Sequence, residues 1–304
     1  EPNPGFHLSL SMLDRLLYAV LYGDLLMLLK NQCKPYEIHP GESDALVDTW
    51  ANRLSQEMKG RGILSYRRVK KNYSAILEDF ARIPLKLEPK VRVGIVGEIF
   101  VKFSPLGNNN LEKFLLSEGA EPVVPGLLDF CLYCVYNGIV DHDLYGTRAG
   151  HALLSKIAYR FLTSKQEDLI DMVRRQGVFR AATPFSHIHT LTRGYIGLGV
   201  KMGEGWLLTA EMLELIEDGV KNIVCTQPFG CLPNHIVGKG MMKIIKERHP
   251  GVNLTAIDYD ASATQTNQEN RIKLMLANAA EQHHAEPPKR EEKREEEAAP
   301  SSLL

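Results

Sequence analysis

Cys225 and Cys231 stand six positions apart in CTQPFGCLPNH, on either side of a Pro-Phe-Gly turn, and Asn234 or His235 opens the segment that follows. Thiolates bind metals, and a helix start beside them favours the charged sulfur. Five intervening residues exceed the gap usual in zinc knuckles, and no second Cys/His pair at zinc-like spacing accompanies them. An iron–sulfur cluster tolerates wider, non-local cysteine spacing and is the better metal reading. The other reading is packing, since free cysteines are common core residues, and spacing alone leaves both open. Cys131 and Cys134 form C-x-x-C inside the apolar string LLDFCLYCVYN, which reads as a buried helix with both thiols on one face. At least one of them is expected to pack in the core. Cys33 has no partner residues nearby and is assigned none.

Weaker signals lie around these. GEGW, from Gly203 to Trp206, places flexible backbone and a carboxylate before a helix, where amides can receive a phosphate or carboxylate or where glycine is only a hinge. Asn108, Asn109 and Asn110 read as a capping cluster. Asp258 and Asp260 bind a cation or, by default, a neighbouring loop. His187 and His189 make only a loose pair, and no Walker-type phosphate loop is present.

The elements that must position these residues follow from hydrophobic periodicity. Ser9 to Leu29, Ser43 or Asp44 to Lys59, and Tyr73 to Ala81 have helical spacing, so residues 1–90 form a helix-rich segment. At Val91 the character changes. VRVGIVG is a strand, followed by a Gly/Pro/Asn loop, the helix LEKFLLSEG and the short strand Pro122 to Val124. NIVC, a loop, the helix from His235 to the Pro250-Gly251 stop and VNLTAIDYD repeat the logic, with the helix TNQENRIKLMLANAAEQ after a polar loop. Residues 127–218 read as mainly helical, with Gly219 as a left-handed cap. The expected class is α/β: a flavodoxin-like or Rossmann-like parallel sheet with flanking helices over residues 91–280. Ligands in such sheets bind beyond the carboxyl ends of the strands, so the loops 97–110, 225–235 and 258–267 should form one rim.

The chain has 304 residues, 24% of them charged, with 36 basic against 37 acidic side chains. Residues 281–304 carry seven Glu against four Lys or Arg, a local net of −3 that leaves +2 on the rest. They lack aromatic and β-branched residues and are expected to be a disordered charged tail after a short continuation of the preceding helix. A near-neutral body argues against nucleic-acid binding. The apolar stretch from Leu16 to Leu29 is broken by Asp24, which argues against a membrane span. EPNPGFHLSL has no leader pattern, and a cytoplasmic location with reduced thiols is expected.

RVGIVGEIFVKF, LEKFLLSEGAEPVVPGLLDFCLYCVYN, GEGWLLTAEMLELIEDGVKNIVCTQPFGCLPNHIVGKGM and IDYDASATQTNQENRIKLML together resemble the 2-hydroxyacyl-CoA dehydratase and activase-related superfamily. The likeness is to the dehydratase-like part of the large activase-related proteins. It runs from about Val91 to Ala280 and extends faintly to NQCKPYEIHPGESDAL. The resemblance implies an iron–sulfur cluster of the 4Fe–4S kind held by cysteines from separate loops. It also implies an ATP-driven activator protein as electron donor and elimination of water from a 2-hydroxyacyl-CoA through a ketyl radical. Carried over by position, Cys225 and Cys231 are cluster ligands with Cys134 as a third, and Glu98, Glu204, Gln227 and Asn234 are polar rim positions. No ATPase module is recognisable in these residues, so the activator is expected as a partner protein or module, with a homo- or hetero-oligomer completing the site. Ala261-Ser262 stands where the resemblance leads one to expect Pro-Gly. The alternative expectation is a non-catalytic scaffold or partner-binding subunit that keeps the fold without redox activity.

Overall fold

The structure is a computed structural model that describes residues 9–60, 62–86, 88–260 and 263–285. Three helices lead: α1 (Leu10–Cys33), α2 (Glu42–Met58) and α3 (Tyr66–Ala81). Ser9 caps α1 by accepting from the Met12 amide at 3.2 Å, and Tyr18, Leu21, Tyr22, Leu25, Leu29 and Cys33 bury one face at helical spacing. The third helix begins seven residues ahead of the expected Tyr73, because Tyr66 and Val69 extend its apolar face.

Strand β1 (Arg92–Gly97) follows, then α4 (Ile99–Phe103), α5 (Leu111–Ser117) and β2 (Glu121–Val123). Four helices come next: α6 (Leu127–Tyr145), α7 (Ala149–Gln176), α8 (Phe185–Leu191) and α9 (Gly205–Glu217). The chain closes with β3 (Asn222–Pro228), α10 (Met242–Arg248), β4 (Asn253–Tyr259) and α11 (Gln265–Ala285). All strand pairs are parallel, in the order β2-β1-β3-β4. The expected flavodoxin-like or Rossmann-like α/β architecture is therefore present, with helices on both faces.

Alternation along the strands decides what each face holds. Val93, Ile95, Val224 and Ile257 pack with Val101, Leu115, Ile272 and Met275 on one side. Val96, Ile223, Cys225 and Ala256 pack with Leu208, Met212, Leu215 and Ile245 on the other. A third cluster joins α1, α2 and α3 to α6–α9 around Tyr73, Phe80, Phe185 and Trp206, so residues on both sides of position 90 share it. Each such fully buried side chain contributes about 1.5–3 kcal/mol from the apolar area removed from water.

Asp24, the charge that interrupts the apolar run of α1, accepts from the amides of Leu127 at 2.8 Å and Leu128 at 2.9 Å. It thereby caps α6 from another helix, and Gly126 leaves the room: a Cβ there would lie 2.7 Å from Asp24 Oδ2.

One reading changes. The single helix expected from His235 is a π-helical turn over Asn234–Gly238, a 3-10 turn over Lys239–Met241 and only then α10. Gly238 stands at the break, its backbone against α9 and β3: a Cβ there would be 2.9 Å from Leu208 Cδ2 and 3.0 Å from Cys225 Sγ. The continuation of the last helix past residue 281 is present, since α11 runs to Ala285; residues 286–304, on which the expected charged tail falls, lie outside the described residues, as do Ala261 and Ser262.

Candidate functional site

The strand order reverses between β1 and β3, and the three loops singled out in the sequence meet there. Gly97 ends β1 opposite Thr226 so closely that a Cβ would fall 1.9 Å from the Thr226 carbonyl oxygen. The Glu98 amide donates to that oxygen at 2.9 Å. Glu98 then caps α4, accepting from the Val101 amide at 2.8 Å, which explains a five-residue helix where sequence gave only a loop.

Glu204 bridges the crevice. Its Oε1 accepts from the Ile99 amide at 3.0 Å and its Oε2 from Asn234 Nδ2 at 3.1 Å. Asn234 Nδ2 also lies 3.2 Å from Cys231 Sγ. Gln227 donates through Nε2 to Asp258 Oδ1, and His235 Nδ1 lies 3.3 Å from the same Nε2 and 3.1 Å from the Cys231 carbonyl oxygen. The Asp258 carbonyl accepts from Gln268 Nε2 at 2.9 Å, whose Oε1 accepts from Asn109 Nδ2 at 2.8 Å. All four polar rim positions, Glu98, Glu204, Gln227 and Asn234, thus belong to one network. Gln227 and Asn234 are fully buried, and Gln227 Oε1 and Asn234 Oδ1 carry no hydrogen-bond partner.

Sequence reasoning missed His235 and Gln268 as members. Their side chains are common on helix surfaces, and only the parallel pairing of β3 with β4 brings them together. Asp258 takes its default role, holding a neighbouring loop. Asn108 caps α5, its Oδ1 accepting from the Leu111 amide at 3.1 Å. In GEGW, the amides of Gly205, Trp206 and Leu207 donate to Met202, Val200 and Glu204 carbonyls. Those three amides are spent within the chain rather than presented to an anion.

The five thiols occupy different environments. Cys225 is 0% exposed in mid-strand, in register with Val96 and Ala256. Burial, reinforced by the Glu211 carboxylate, pushes its thiol up to about 12, so it is a neutral thiol at ordinary pH. Cys33 is fully buried, and Cys131 packs against the same helical core as Cys33. Cys134 is exposed on α6, its thiol raised by partial desolvation. Cys231 is half-buried on the rim loop. Among the described residues, no three His, Cys, Asp or Glu side chains are grouped so as to hold a metal ion. The donor set within the described residues therefore does not fit a cluster held by this chain alone, which needs several converging thiolates.

What the tied loops present outward is apolar. Phe100 and Leu106 follow β1, Met202 precedes Glu204, and Phe229, Leu232 and Ile236 flank Cys231, and all are exposed, Phe229 at 72% and Met202 at 75%. No helix among the described residues is long and apolar enough to cross a membrane. Comparison with family models, with curated proteins and with solved structures returned no match.

Proposed function

We propose that this chain is a partner-docking α/β subunit of a reductive, CoA-ester-linked dehydratase-like system, and that it seats on an ATP-driven activator protein through the rim around Cys231. The carrying observation is the pairing of a rigid polar network underneath with exposed Phe100, Met202, Phe229 and Leu232 above it. Aromatic and methionine side chains are the ones enriched at the cores of protein interfaces, and an already ordered surface loses little entropy on association. The choice of partner rests on the resemblance: QPFGCLPNH and GEGW, two of the strings that carry it, form this rim. Phe229→Ser combined with Leu232→Ser should abolish co-sedimentation with a purified dehydratase-type activator in the presence of ATP while leaving the thermal midpoint unchanged. Undiminished binding by that variant would reject the reading.

A second reading is favoured by the hydrogen bond from Asn234 Nδ2 to Cys231 Sγ at 3.2 Å. Hydrogen bonds to sulfur tune iron–sulfur centres, so Cys231 is a candidate single ligand of a cluster completed by the partner. Such a group would supply low-potential electron transfer when bound. Anaerobic reconstitution should then give iron and acid-labile sulfide only in the complex, with loss on Cys231→Ser and retention on Cys225→Ser. Stoichiometric iron in the isolated chain that disappears on Cys225→Ser would contradict it.

A further inference from the structure

Away from the rim, a cavity of about 240 Å³ opens against β2, the edge strand paired only with β1. Its walls come from α1, α6, α7 and α9 and are largely aliphatic, with Leu21, Leu25, Val124, Leu169 and Ile170 among them. Set into this apolar lining are five carboxyl groups, Glu121, Asp218 and three from three different helices: Asp24, Asp129 and Glu214.

The three are not equally provided for. Asp24 is held by the two backbone amides it caps. Asp129, 4% exposed, accepts from Gln166 Nε2 at 2.7 Å. Glu214 is 6% exposed, and its Oε2 has no hydrogen-bond partner. The nearby cations are already engaged. Lys102 Nζ lies 2.7 Å from Glu211 Oε1. Arg180 and Arg92 both pair with Glu121, the latter at 3.8 Å, and Tyr36 donates to Glu121 at 2.7 Å. Glu121 is thus balanced, whereas no ion pair neutralises Asp129 or Glu214 among the described residues. Leaving a buried carboxyl oxygen unpaired costs about 1–3 kcal/mol or more, so such a group is expected to have a use.

We infer that this cavity is a binding site for a small organic ammonium ion, with its N–H donors on Glu214 Oε2 and its hydrocarbon body among the leucines. A metal ion is the poorer candidate, because no three acidic, His or Cys side chains are grouped to hold one among the described residues. A carboxylate ligand would meet five carboxyl groups in the lining against two arginines, Arg180 paired with Glu121 and Arg92, whose Nε lies 3.8 Å from Glu121 without a hydrogen-bond partner. The volume suits the class: a dry apolar cavity of roughly 150 Å³ accommodates benzene, so this one takes a six-carbon chain with its head group. Binding would also lower the cost of ionising the carboxyls, since it brings the missing opposite charge.

The test is a matched panel on the full chain at neutral pH: n-hexylamine, n-hexanol and hexanoate, followed by calorimetry and by shift of the thermal midpoint. The amine should bind at least about tenfold tighter than the alcohol, as expected of a hydrogen bond between charged groups, and hexanoate should not bind. Glu214→Gln should remove the amine's advantage and leave alcohol binding in place. Equal binding of amine and alcohol by the wild type, preference for hexanoate, or no binding of any of the three would overturn the inference. The wild-type panel decides this whether or not the variant folds.

Discussion

Glu204 and Asn234, thirty residues apart in sequence, are joined by a 3.1 Å hydrogen bond across the point where the strand order reverses. With the second Glu204 oxygen on the Ile99 amide at 3.0 Å, one carboxylate fastens the loops after β1 and β3 to the entrance of α9. Glu204→Gln turns one acceptor into a donor that faces a donor in a buried place. It should lower unfolding free energy by about 2 kcal/mol, read as a reduced urea midpoint with an unchanged slope.

Cys225 is a packing residue under Gly238. Gly238→Ala should destabilise the fold by about 1–3 kcal/mol, because its new methyl meets Cys225 Sγ at 3.0 Å and Leu208 Cδ2 at 2.9 Å. Adding Cys225→Ala should recover part of that loss, so the double-mutant cycle should show coupling. Strict additivity would place the strain elsewhere.

Thiol chemistry should separate four of the five cysteines. Under native conditions an aromatic disulfide reagent should modify exposed Cys134 and half-buried Cys231 first and spare buried Cys33 and Cys225 until the chain unfolds. Rapid native modification of Cys225 would contradict the placement of β3 in the interior.

Stability should fall as pH rises through neutrality. Desolvation pushes Asp24 up to about 6 and Asp129 up to about 8, and it raises Glu211 and Glu214 as well. These carboxyls face one another, Asp218 and the buried cation Lys102. A raised folded value means that the native state holds more protons than the unfolded chain from about pH 4 upward. The contribution of these carboxyls to the slope of stability against pH is therefore negative from there up through the folded value of Asp129 at about 8. The thermal midpoint should be lower at pH 8.5 than at pH 6, and Asp129→Asn should flatten the difference.

The parts legible in sequence were those set by local pattern. VRVGIVG and NLTAIDY announce strands through β-branched runs, and the rule that loops beyond parallel strands converge pointed to the loops 97–110, 225–235 and 258–267, whereas Glu98, Glu204, Gln227 and Asn234 were singled out through the resemblance. Cys225 was a ligand candidate by spacing, and its alternation with Ile223 puts it on a sheet face that helices cover. The helix α4 was too short to show a period. The carboxyls Asp24, Asp129 and Glu214 come from three helices with no spacing in common, so only tertiary packing reveals them.

The proposal that the Cys231 rim seats on an activator is tested most directly by hydrogen–deuterium exchange of the chain with and without a purified ATP-driven, dehydratase-type activator. Slowed exchange confined to residues 99–107, 200–204 and 228–238 is the predicted result. Protection that appears on another face, or no protection at saturating activator and ATP, would contradict the proposal.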